Sequence, residues 1–175
     1  MAVDLLVPVS VSPGKGRRAA KLQGHDPKAA RIVEGLEGAL VDFDRMTVGA
    51  LEITDKRQHD IRVAGPAALL VSKLHKIADR RSGERLSDKD ALDAFRLLRA
   101  ASSSEMADRV KALLSQPLSR APAEKAVELL ESLFGDRTCE GVKMILRATA
   151  GLANGDELSL ACEILSHELL TAIKR

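Results

Sequence analysis

The 175-residue chain contains no tryptophan, no tyrosine and only three phenylalanines. Proteins that hold single-stranded nucleic acid commonly stack successive bases on aromatic rings, and that platform is missing here. Cysteine is almost as scarce. Cys139 and Cys162 have no C-x-x-C neighbour, which argues against a zinc ribbon or a dithiol redox centre. Each falls in an amphipathic pattern where a small buried thiol is expected. The four histidines, His25, His59, His75 and His167, show no paired ligand spacing, so a zinc site is not expected. No stretch approaches the roughly 18 apolar residues that cross a bilayer, and the N-terminus lacks the basic and apolar regions of a signal peptide. A cytoplasmic protein without a membrane partner is the expectation.

An excess of one charge is also lacking. Lysine and arginine total 27 against 25 acidic residues, a net charge of +2, so no global field draws the chain to nucleic acid or to a lipid surface. Any basic site must be local. The loop Gly14-Lys15-Gly16-Arg17-Arg18 is one candidate. It lacks the four-residue spacer and the following Ser or Thr of a P-loop, although its cations suit a phosphate. No Gly-x-Ser-x-Gly elbow for acyl transfer is present.

What is there describes an ordinary globular chain, 45% hydrophobic and 30% charged, with no low-complexity tract. Val3 to Val11 reads as a buried strand that runs into the turn at Pro13-Gly14. Asp26-Pro27 is a helix-start signal, and KAARIVEGLEGAL is predicted to be helical to about Leu40. Between Val41 and Val63 short β-branched runs predict two or three strands. Gly65-Pro66 then opens a helix to Arg80 or Arg81, stopped by Ser82-Gly83. Ser87-Asp88-Lys89-Asp90 fits a capping box for the next helix, to Ala100. Helical periodicity continues over Ser104 to Ser115, Pro122 to Phe134, Thr138 to Leu152 and Glu157 to Ile173. The expected fold is α+β: a small partial β-sheet packed on helices, then an all-helical C-terminal bundle, with residues 1–101 as the α+β domain and 102–175 as a helical subdomain.

The stretch from Val63 to Ala100 carries the chemistry. On a helical wheel Lys73, Lys76 and Arg80 lie within about 60° of one another beside Leu70, Leu74 and Ile77. Like charges at this spacing repel, so the edge needs anions opposite, either protein carboxylates or ligand phosphates. A solvated basic edge snorkelling over the core fits the same residues. Asp90 falls within the arc of Ala94, Leu97 and Leu98, with Asp93 at its margin. A carboxylate facing a core calls for a cation, and Lys73 is the natural one; first-turn capping explains Asp90 equally well. Asp4 shares a face of its apolar strand with Leu6.

The run KLHKIADR from Lys73 to Arg80, followed by KDALD from Lys89 to Asp93, resembles the helical motifs of nucleotidyltransferase-like proteins of the abortive-infection toxin (AbiEii) type. Asp4 in VDLLVP resembles the strand aspartate that precedes those helices, and the resemblance covers residues 1–100. It implies a polymerase-β-like nucleotidyltransferase domain that binds NTP and Mg²⁺ and transfers a nucleoside monophosphate to a hydroxyl-bearing acceptor. Carried over residue by residue, Asp4 is the catalytic, metal-binding carboxylate. Lys73, Lys76 and Arg80 contact nucleotide phosphate, and Asp90 and Asp93 support the basic helix. The family's Gly-Ser element and paired Asp-x-Asp strand lie upstream of the matching aspartate, whereas three residues precede Asp4 here; VDFD at Val41 to Asp44 follows it. The resemblance therefore implies reduced or absent activity for this polypeptide alone, either because further chain precedes it or because the metal site is lost. The other reading is a non-catalytic interaction module of a toxin-antitoxin system, with the helical tail mediating a homodimer.

Overall fold

A computed structural model describes residues 4–12, 20, 24–26, 29–81 and 88–175. The opening strand β1 (Leu5–Pro8) is shorter than its apolar run, because Pro8 has no N–H to extend a ladder and Val9–Val11 coil into a single 3-10 turn. β1 pairs in parallel with β2 (Ala30–Val33), Leu5 opposite Ala30 and Val7 opposite Ile32. Here the structure corrects the predicted helix from Asp26-Pro27 to Leu40. Arg31-Ile32-Val33 is a strand whose Ala30 and Ile32 point inward against Val7 and Ala20. Gly35 then turns the chain at φ +81°, where a Cβ would overlap the His75 ring. Only Glu37–Leu40 coil, as a 3-10 turn. The basic loop at 14–18, the stop at 82–83 and the cap at Ser87 lie outside the described residues.

The second sheet is a hairpin. β3 (Phe43–Gly49) and β4 (Gln58–Ala64) pair antiparallel, with Met46 opposite Ile61. Six helices follow: α1 (Pro66–Arg81), α2 (Asp88–Ala100), α3 (Ser103–Ser115), α4 (Arg120–Phe134), α5 (Glu140–Ala148) and α6 (Gly155–Lys174). The chain is thus α+β, with a helical C-terminal region. Ser102 caps α3 by accepting from the Glu105 N–H, and Asn154 caps α6 by accepting from that of Asp156. α5 starts later than its periodicity suggests, because Asp136 accepts from both the N–H and the hydroxyl of Thr138 and holds that residue in a turn.

One apolar core joins all six helices. Leu70, Leu74 and Ile77 of α1 meet Phe95 of α2, Val110 of α3, Leu130 and Phe134 of α4, Ile145 of α5 and Leu169 of α6 in a single buried cluster. The cluster runs continuously across Ala101. Cys162 lies in it, and desolvation, with Cys139 adding to the effect, pushes its thiol up to about 12. At that value the thiol is unreactive. Among the described residues no helix is long and apolar enough to cross a membrane.

Candidate anion site

The start of α1 is set by a carboxylate from a distant part of the chain. Asp42 is buried, and its Oδ2 accepts the N–H of Ala68 at 2.9 Å, satisfying a donor that the first helical turn leaves without a partner. Pro66 occupies the first helical position, where its missing N–H costs nothing. Arg109 of α3 donates to Asp42 Oδ1 at 2.7 Å and lies 3.5 Å from Asp44. The Asp42 bond leads the effects that raise the Arg109 pKa. Gly65 passes so close that a Cβ would overlap the Asp42 carboxylate. α1 is thereby pinned to the base of the hairpin and to α3.

Two turns further on, α1 presents its basic edge to the first turns of α2. Asp90, although charged, is only 2% exposed. Its Oδ1 accepts from Lys73 Nζ at 3.0 Å and Lys76 Nζ at 2.8 Å, and its Oδ2 from Arg80 Nη1 at 2.9 Å. Asp93 takes a second bond from Lys73 Nζ at 2.7 Å and one from Arg96 Nη1 at 3.2 Å. Lys73, Lys76, Arg80, Asp90 and Asp93 are therefore one network. The 3.6-residue period brings the three cations to one edge, and the apolar face of α2 turns Asp90 inward to meet them.

Desolvation is the largest influence on both Asp90 and Lys73, and it opposes their charged forms. The Lys76 and Lys73 hydrogen bonds to Asp90 and the nearby cations outweigh it, so the Asp90 pKa lies below the ordinary carboxylate value. The bonds from Lys73 to Asp93 and Asp90 do the same in reverse and raise the Lys73 pKa. The Asp93 pKa is lowered, first by its bond from Lys73. All three groups are held charged.

The cations differ in what they leave free. Lys73 spans both carboxylates and is the most enclosed of the three. Lys76 and Arg80 are 41% and 39% exposed, and each reaches Asp90 with one nitrogen. Among the described residues, Lys73, Lys76, Arg80 and Arg96 pair with Asp90 and Asp93. Lys76 and Arg80 thus combine a bond to Asp90 with side chains partly open to water, an arrangement open to an anion.

Asp4 stands apart. It is 75% exposed, and its ionic partner is Arg31 of β2, 3.4 Å away. Among the described residues no three His, Cys, Asp or Glu side chains converge on a point. Arg31 beside Asp4 brings a positive charge to a carboxylate that a divalent cation would have to share with further acidic ligands.

Helical periodicity predicts the Lys73–Asp90 pair, and Arg96 joins the network as well, its spacing of three from Asp93 being the signal for it in the sequence. Asp42, within VDFD, caps α1 through a contact 26 residues apart in sequence, which no local pattern reveals. Arg147 of α5 is equally non-local, joining α2 to its own helix by donating to Asp88 and Glu140. Comparison of the chain with protein-family models, with curated proteins and with solved structures finds no match.

Proposed function

We propose that the chain is a nucleotidyltransferase-like protein that holds the phosphates of a nucleotide against the solvent side of the α1–α2 network. The observation that carries this reading is the division of labour around Asp90. One buried carboxylate gathers three cations, and the side chains of two of these stay 41% and 39% exposed. Lys73 is then the positioning residue between Asp90 and Asp93, and Lys76 and Arg80 are the phosphate contacts. An ammonium has three N–H donors and a guanidinium five, so each can serve Asp90 and a phosphate oxygen together.

Transfer of a nucleoside monophosphate from the NTP to an acceptor hydroxyl is the reaction that the resemblance implies, and it would draw on metal-binding carboxylates. The part of the reading that the α1–α2 network supports is nucleotide binding. Calorimetric titration with a nucleoside triphosphate at low ionic strength tests it. Lys76→Ala and Arg80→Ala should each weaken binding about tenfold, the loss of one charge-assisted contact, and added salt should weaken it further. Unchanged affinity in both variants, with an unchanged melting temperature, would remove the assignment.

A further inference from the structure

The β3–β4 hairpin carries a feature that is independent of the anion site. Among the described residues neither of its edges pairs with another strand. β4 is seven residues long, about 23 Å of extended backbone, with no proline, no lysine and no bulge to blunt it. Such an edge is a template for another strand. The β3 edge begins against the helices, where Arg109 reaches Asp42 and Asp44. The β4 edge is exposed from Gln58 to Arg62.

The order of residues along β4 says what fits there. Asp60 and Arg62 share one face with Arg45 and Thr47 of β3, and Ile61 shares the other with Met46 and Val48. Thr47 donates to Asp60 at 2.6 Å, whereas Arg62 is opposite Arg45, a like-charge pair that opposes the hairpin. Consider a second copy of β4 placed antiparallel alongside, with a two-fold axis perpendicular to the sheet. The axis keeps each face on its own side, so the register must centre on a residue. Centred on Asp60 or on Arg62, it sets identical charges against each other. Centred on Ile61, it sets Asp60 opposite the partner's Arg62 and Arg62 opposite the partner's Asp60, with Ile61 meeting Ile61 and His59 meeting Val63 on the apolar face. Arg62 then gains the counter-charge that its position opposite Arg45 denies it. β3 has no equivalent arrangement: centred on Met46, it puts Arg45 opposite Thr47 and Asp44 opposite Val48.

We infer that β4 is a self-complementary edge through which two copies of this chain join their hairpins into one four-stranded antiparallel sheet. Main-chain hydrogen bonds supply the attraction, and the Asp60–Arg62 cross-pairs set the register.

Sedimentation of the full-length chain across the micromolar range should show a monomer–dimer equilibrium. Asp60→Arg puts two arginines opposite two arginines, and Arg62→Asp puts aspartates opposite aspartates. Each variant alone should dimerise at least about tenfold more weakly. An equimolar mixture of the two should recover association as a heterodimer, since every cross-pair is again of opposite charge. Ile61→Cys, which barely alters the hairpin, should give a disulfide-linked dimer with oxidised glutathione. Val48→Cys on β3, the outer strand of that sheet, should not, and the wild type controls for Cys139 and Cys162. A wild-type chain that stays monomeric, single variants that dimerise like the wild type, a mixture that fails to associate, or crosslinking at residue 48 in place of 61 would each overturn the inference.

Discussion

Asp90 shows how much a single side chain can decide. Its place in the first turn of α2 is open to a capping role from sequence alone, and geometry gives it three cations instead. Removing it leaves Lys73, Lys76 and Arg80 crowded on one edge. Asp90→Ala should therefore destabilise the fold by about 2 kcal/mol, below the roughly 3–5 kcal/mol of a fully buried pair because the cations reach water. Chemical denaturation of variant and wild type measures this. The network also sets a pH profile. Asp90 and Asp93 have lowered pKa values, so their contribution is present above the unfolded carboxylate pKa of about 4 and is lost as pH falls through the native values. Lys73 has a raised pKa, so its contribution is present below about 10.4 and is lost as pH rises through its native value. Stability should plateau across neutral pH and fall at both ends, and Asp90→Asn should flatten the acid limb. The Lys73–Asp90 pairing was legible because helical periodicity places both residues. The isolation of Asp4 beside Arg31 was not, because it depends on which strand lies next to β1.

Helices were easier to read than strands for a physical reason. Each of the six carries its own apolar period, and α3 and α6 also carry their own caps, so most of their determinants are local in the chain. β2 has no such autonomy. KAARIVEGLEGAL suits a helix nearly as well as a strand, and its parallel partner β1 lies beyond any local window. The junction of hairpin and α1 is equally non-local, since Asp42 caps a helix that begins 24 residues later in sequence at Pro66. Asp42→Ala removes that cap and the partner of Arg109 together. The expected cost is about 2 kcal/mol, which should lower the melting temperature by about 4–8 °C in a chain of this size. A thermal scan by circular dichroism reads it directly. Asp42→Asn, which keeps the acceptor for Ala68, should lose less.

At the scale of the whole molecule, residues before and after Ala101 contribute to one core, so the helices should unfold as a unit. Phe134 is fully buried among them, with Gly141 pressed against its ring. Phe134→Ala should cost about 3–5 kcal/mol and should still give one cooperative transition rather than two in calorimetry. The hairpin is a different kind of part. Its most apolar connecting residues, Leu51 and Ile53, are 100% and 93% exposed, and its two ends meet where the Gly65 N–H donates to the Asp42 carbonyl at 2.9 Å. Residues 43–64 are therefore an excursion that leaves and re-enters the body at one point. Their loss would leave no gap to bridge, and their lengthening would strain nothing. The surface of this protein most open to change is fastened to its helical body as a detachable module.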